Sequence, residues 1–314
     1  MDAFLLLFIV GLPLLALLAA VVVVVVAVTR RSLPAPSEAA DAARRHALGV
    51  NIAAWAALAV LPVGVIGLVA VPLFRLTGAS LYAGVVTGLW PATAGLLFLG
   101  VHAIGERTWP RPTGAVRRAH LSPRDAQRGP RWLRRLTWAW AGLLLVTLVA
   151  AGATSSNGRA VSVAYATNGV QTASPYPGWF YGVPLLVAAA LVLVATEGVL
   201  RLISRRPAVV DADPAYDAAS RRLSAHRALR GTQLVIALTE AGVLGVMGAA
   251  LSNVDRGAVG VALGGLAALV GLTGLVAAVS PAQPAIQAAW PATVPPPAQG
   301  QASLPFEPTA DPAP

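Results

Sequence analysis

The sequence predicts an all-α fold: a polytopic integral membrane bundle of about seven transmembrane helices, N-terminus outside and C-terminus cytoplasmic. Three observations predict it. Of 314 residues, 56% are hydrophobic and only 11% charged, far from the roughly 25% charged content of a soluble domain. Seven apolar stretches approach the roughly 20 residues a helix needs to cross about 30 Å of hydrocarbon, where the backbone must satisfy its own hydrogen bonds. All 23 basic residues are arginine, and they cluster on alternate connections.

The first stretch, 3–28, opens with Met1 and Asp2, carries no basic start, and is followed directly by Arg30 and Arg31. Its apolar run is longer than that of a signal peptide, so it reads as a retained helix. The second and third, 49–74 and 81–104, contain Pro62 and Pro91, each of which removes a backbone donor and bends the rod. The fourth, 137–153, is the shortest and needs Trp138 and Trp140 as interfacial anchors. The fifth, 180–202, is approached through Trp179, Phe180 and Tyr181, rings that favour the headgroup layer. The sixth and seventh, 233–251 and 257–279, are joined by a short turn and should form a tight antiparallel pair. Gly242, Gly245 and Gly248 on one and Gly260 and Gly264 on the other make small-residue stripes that permit close backbone approach.

Orientation follows from the arginines. Segments 29–48, 106–135 and 201–230 hold four, nine and seven, against Arg75, Arg159 and Arg256 elsewhere. This bias places the basic loops, about 29–48, 106–135 and 203–232, in the cytoplasm, and parity places the C-terminus with them. The transmembrane domain is thus 1–279. The tail, 280–314, has ten prolines and few large apolar groups, a composition too poor in burial to offset ordering entropy. It is expected to be disordered.

In the outer loop, about 154–179, Val161, Val163 and Tyr165 alternate ahead of Asn168 and Gly169, the pair suited to a type I′ turn. A short hairpin is expected there. The inner arginines, among them Arg44, Arg45, Arg117, Arg118, Arg221 and Arg222, are expected to contact anionic lipid headgroups, each worth about 1 kcal/mol near the surface. The segment from Ala218 to Leu229 is expected to lie along the interface as a short amphipathic helix. Recurring Arg-Arg and His groupings at His46, His120 and His226 give only a weak repeat signal, and their spacing is wrong for a metal site. The formal charge of +10 is accounted for by topology, so no nucleic-acid partner is expected.

Ionisable and polar groups within apolar runs are the informative exceptions. Glu240 falls near the middle of the sixth stretch, at 1.5 Å rise per residue. Glu197 has Arg201 one turn on, a spacing that allows an ion pair. His102 has Glu106 one turn on, and Asn51 begins the second stretch. Together these predict a polar vestibule open to the cytoplasm and ending at Glu240, with Thr239 helping to line it.

Catalytic patterns are not found. With no lysine and no cysteine, Schiff-base chemistry, a P-loop lysine, thiolate metal sites and cysteine nucleophiles are excluded. No Gly-x-Ser-x-Gly elbow or His-Glu-x-x-His motif occurs, and no cofactor or metal is expected. The expected function is a non-enzymatic accessory or scaffold subunit of a membrane or envelope complex, with a membrane-protein partner or a second copy of itself. The alternative is a small-solute or proton-coupled carrier using Glu240, and a lipid-acting enzyme or sensor is a third class. The alanine-, valine- and arginine-rich composition fits a bacterial plasma-membrane protein.

Overall fold

The computed structural model describes residues 35, 37–65, 81–110, 130–164, 169–209, 212, 214–280 and 282. The described chain forms α1 (Glu38–Val65), α2 (Leu81–Arg107), α3 (Arg131–Thr154), β1 (Val161–Ala164), β2 (Val170–Ala173), α4 (Trp179–Arg205), α5 (Pro214–Ser252) and α6 (Gly257–Val279). Among the described residues, five helices, α2 to α6, are long and apolar enough to cross a membrane. The expected first span, the end of the second, much of the middle basic loop and the proline-rich tail lie outside the described residues.

Helices start earlier than hydropathy alone places them. The third basic loop, expected at 203–232, is mostly helix: α5 begins at Pro214 and runs for 39 residues, about 58 Å at the α-helical rise. The segment from Ala218 to Leu229 is therefore not a separate interfacial helix but the first half of α5, and most of it is buried by protein. Polarity does not end a helix when neighbours cover the polar groups, and here Arg221 is held to Asp217 one turn earlier at 2.7 Å. Likewise α1 starts at Glu38, where the Ser37 hydroxyl accepts the Ala40 N–H at 3.2 Å and Glu38 and Asp41 sit in the first turn. Both features stabilise a helix N-terminus.

The long helix α5 is the hub, packing against α2, α3, α4 and α6. One cluster of buried side chains runs through the bundle, including Trp55, Phe98, Leu133, Leu144, Val192 and Leu229. Phe98 of α2 lies against Gly231 of α5, where any added Cβ would collide with its ring. Outward faces stay apolar: Val146 and Leu145 on α3, Val194 and Leu191 on α4, and Val261, Leu269 and Leu272 on α6 are exposed. Apolar side chains in such number on an outer surface suit hydrocarbon and not water.

The α5–α6 turn closes as expected, but the glycine stripes meet at one point. A Cβ at Gly248 would lie 2.7 Å from the Gly260 carbonyl oxygen, and one at Gly260 would lie 2.5 Å from that of Gly248. Gly242, Gly245 and Gly264 face open space, so they are not part of this contact. The second close approach is Gly274 against Ala237, at 2.6 Å for an added Cβ. The two helices stay side by side between these points, and the α5 positions facing α6 are Ala237, Ala241, Leu244 and Gly248, at helical spacing, so Gly242 and Gly245 lie off the contact face.

At the opposite end from the basic connections, β1 and β2 form the expected antiparallel hairpin. Its register pairs Ala164 with Val170, so Asn168 and Gly169 are not the two central residues of a minimal turn; residues 165–168 lie outside the described residues. Tyr176 is buried beneath the hairpin with Val161, Ala173 and Val254, and its hydroxyl is 2.7 Å from that of Thr154. The hairpin therefore caps the ends of α3 and α5.

Candidate functional site

Polar side chains inside the bundle fall into two tiers. In the deeper tier, Glu240 of α5 is fully buried, and its Oε1 accepts the Thr147 hydroxyl of α3 at 2.7 Å. Its Oε2 has no partner, nor does the Trp140 indole nitrogen on the same helix as Thr147. Thr239 bonds back to the Val235 carbonyl at 2.8 Å, so it is spent within its own helix and does not solvate Glu240. Nearer the basic end, Gln233 donates to the Gly274 carbonyl of α6 at 2.8 Å, and Thr232 meets Thr196 of α4 at 3.0 Å.

Glu197 does not pair with Arg201. Its partner is Arg134 of α3, whose Nη2 and Nε donate to one carboxylate oxygen at 2.8 and 3.1 Å. An interhelical arginine beginning α3 competes successfully with the i+4 neighbour. The result ties α3 to α4.

The second tier gathers at the basic end. Arg206 follows α4 and is buried; its Nη1 contacts both Glu106 oxygens of α2 at 3.4 Å, its Nη2 reaches the Ser220 hydroxyl at 2.8 Å, and its guanidinium stacks 3.8 Å from the Trp109 ring centroid. Burial pushes the Arg206 pKa below the ordinary arginine value, and the Glu106 carboxylate opposes that shift. His46 of α1 meets the Gly105 carbonyl at 2.9 Å and Trp109 edge-on. These contacts join α1, α2, α4 and α5.

The expected vestibule is represented by a small cleft at this level, lined among others by His46, His102, Glu106, Trp109, Ser224 and Arg227. Glu240 does not line it; it lies thirteen residues beyond Arg227 on α5, about 20 Å along the axis. His102 is buried, packed edge-on against Phe98, with its Nε2 unpartnered. Asn51 is wholly buried on α1, and both of its amide atoms are unpartnered. Thus the structure groups His102 with the basic end, places Asn51 one turn from Ala47 of the same cleft, and leaves Glu240 and Glu197 in separate contacts.

The arginines expected at lipid headgroups divide. Arg44 and Arg45 pair with Asp41 in α1, while Arg117 and Arg118 lie outside the described residues. Arg221 is buried and turned inward: its guanidinium donates to the carbonyls of Ile203, Ser204 and Arg206 at 2.9, 3.1 and 2.8 Å. It therefore satisfies the open C-terminal carbonyls of α4, a role that suits a cation at the negative end of the helix dipole. Arg222 is half-buried.

Sequence reasoning passed over Thr147, Arg134, Arg206, Trp109 and Arg227. Their partners are distant in the chain, and the arginines read as ordinary members of basic loops. The spacing of His226, Arg227 and Arg230 beside Gln233 was a usable signal, because a helix extended backward from the sixth stretch turns at least one of them inward. No protein-family model, curated protein or solved structure matches the chain. The fold and the polar tiers within it fit a multi-pass helical membrane protein.

Proposed function

We propose that the chain is a non-catalytic accessory or scaffold subunit of a membrane assembly, in the plasma membrane of a bacterium. The supporting observation is that four polar contacts tie helices to one another: Thr147 to Glu240, Arg134 to Glu197, Gln233 to Gly274 and Arg206 to Glu106. A set of such ties at several depths favours a bundle held in one arrangement. The outward faces of α3, α4 and α6 offer apolar surface to lipid or to a neighbouring membrane helix. Extraction into native nanodiscs followed by native mass measurement tests this reading. A stoichiometric protein partner supports it, and a lone monomer counts against it.

A second reading, a proton-coupled carrier, is favoured by one observation: the unpartnered Oε2 of the buried Glu240. A carboxyl within a membrane bundle that keeps one oxygen free is suited to taking up a proton. On this reading Glu240→Gln abolishes pH-dependent uptake while the protein stays folded. Unchanged uptake by that variant would remove the carrier reading.

A further inference from the structure

Two lines of exposed residues, one on α3 and one on α4, match each other level by level. The register of these helices is fixed at three places. A Cβ at Gly152 would collide with Trp179, one at Gly182 would touch Leu148, and Arg134 pairs with Glu197. Each step back along α3 is matched by an equal step forward along α4, so the two run antiparallel in constant register. Carried one turn further toward the basic end, that register puts Arg131 level with Arg201.

On α3, Arg131, Trp138 and Leu145 recur every seven residues, and on α4 Val187, Val194 and Arg201 do the same. Seven residues make almost two full turns, so each set forms one line along its helix. The register sets Trp138 level with Val194 and Leu145 level with Val187. All six side chains are exposed. Both lines border the Arg134–Glu197 contact at helical spacing, and the opposite flank of that contact carries the buried Thr137 and Leu200. The lines therefore edge one outward-facing furrow between α3 and α4.

The furrow is amphiphilic along its length. At the basic end neither the Arg131 nor the Arg201 guanidinium has an ionic or hydrogen-bonding partner among the described residues. The nearest carboxylate in register, Glu197, is engaged by Arg134. Gly198, just short of Arg201, has open space where a side chain would stand. About 10 Å below the arginines comes the exposed Trp138 ring, a group that favours the headgroup boundary. About 20 Å below them come Leu145 and Val187, which takes the furrow through the depth of one leaflet of a roughly 30 Å hydrocarbon core. A soluble anion would use only the first of these levels. A molecule with a negative head and a long apolar chain matches all three.

We propose that this furrow binds one anionic glycerophospholipid, its phosphate between Arg131 and Arg201 and an acyl chain along Trp138, Val194, Leu145 and Val187. The site rests on neither reading of the chain's role.

The test uses the full chain in phosphatidylcholine nanodiscs that contain a minor fraction of phosphatidylglycerol, with the lipids retained on release counted by native mass measurement. The wild type keeps one phosphatidylglycerol per chain in preference to phosphatidylcholine. A basic residue near an anionic lipid contributes about fivefold in affinity, so Arg131→Gln and Arg201→Gln each lower the preference by about that factor, and the double variant loses it. Arg45→Gln, at an exposed arginine of α1, leaves it unchanged. If the arginine variants do not fold, tryptophan fluorescence decides alone: phosphatidylglycerol brominated on its acyl chains quenches more than equally brominated phosphatidylcholine, and the difference shrinks in Trp138→Phe. No preference for phosphatidylglycerol, a preference that survives the double substitution or falls equally in Arg45→Gln, a quenching difference unchanged by Trp138→Phe, or a protein mass in place of the lipid overturns the proposal.

Discussion

Thr147 donates its hydroxyl across the α3–α5 interface to Oε1 of Glu240, and at 2.7 Å this is the hydrogen bond that fixes the carboxyl group at the centre of the bundle. Glu240 is fully buried and Thr147 nearly so. Removing a donor from a buried acceptor costs about 1–3 kcal/mol, because the acceptor's desolvation is no longer offset. Thr147→Val, which keeps the shape and deletes the hydroxyl, should therefore melt several degrees lower. Glu240→Gln retains a carbonyl oxygen able to accept from Thr147, so its melting temperature should stay close to the wild type. Thermal unfolding of both variants in one nanodisc composition checks this, and equal melting of Thr147→Val and wild type would show that the contact contributes nothing.

Arg221 should resist conservative replacement. Its planar guanidinium reaches three carbonyls at the end of α4 and Asp217 simultaneously, whereas a lysine is a point donor on a flexible stem and cannot span that arc. Hydrogen bonds to charged groups contribute about 1.5–3 kcal/mol each, so Arg221→Lys should lose at least one such increment. Limited proteolysis across 206–213 provides the readout, with cleavage faster in Arg221→Lys. Arg222→Lys, at the neighbouring half-buried position, should cleave at the wild-type rate.

Helical class and the five helices long and apolar enough to cross a membrane, α2 to α6, were legible from hydropathy, because apolar runs report the environment that suits a helix. Helix starts were not: Pro214 to Thr232 is polar enough to read as loop, yet Asp217, Arg221, Ser224 and Arg227 turn toward neighbouring elements and are satisfied or buried there. Positive-inside counting treats arginines alike, and so cannot separate Arg44, paired locally with Asp41, from Arg206, stacked on Trp109. Glu240 was legible as an exception in an apolar run. Its partner Thr147 was not, since a threonine in a spanning helix commonly bonds to its own backbone and nothing local marks the one that reaches across. The glycine pattern indicated a close approach between α5 and α6 but not which residue pair would touch.

Arg134 and Glu197 should show measurable but modest coupling. Both side chains are about one-third exposed, at 35% and 30%, which places the pair nearer the surface case than the buried one, at about 0.2–1 kcal/mol. A double-mutant cycle with Arg134→Ala and Glu197→Ala isolates it. Arg201→Ala combined with Glu197→Ala should give a coupling near zero, because Glu197 is turned to α3. A larger coupling for Arg201 than for Arg134 would contradict the observed pairing.

The α5–α6 contact makes a positional prediction among chemically identical residues. At Gly260 an added methyl group would collide with the Ser252 side chain and lie 2.5 Å from the Gly248 carbonyl oxygen, which belongs to helix backbone and cannot swing away. At Gly264, one turn further along α6, it would meet nothing within 4 Å. Overpacking of this kind costs about 1–3 kcal/mol, whereas alanine in an open helical position gains up to about 1 kcal/mol over glycine from reduced backbone entropy. Gly260→Ala should therefore destabilise the protein and Gly264→Ala should leave it unchanged or slightly more stable. Gly248→Ala should follow the first and Gly245→Ala the second. Unfolding of the four variants, measured side by side in the same discs, distinguishes stripes that touch only through Gly248 and Gly260 from stripes that pack along their whole length, for which all four would lose stability.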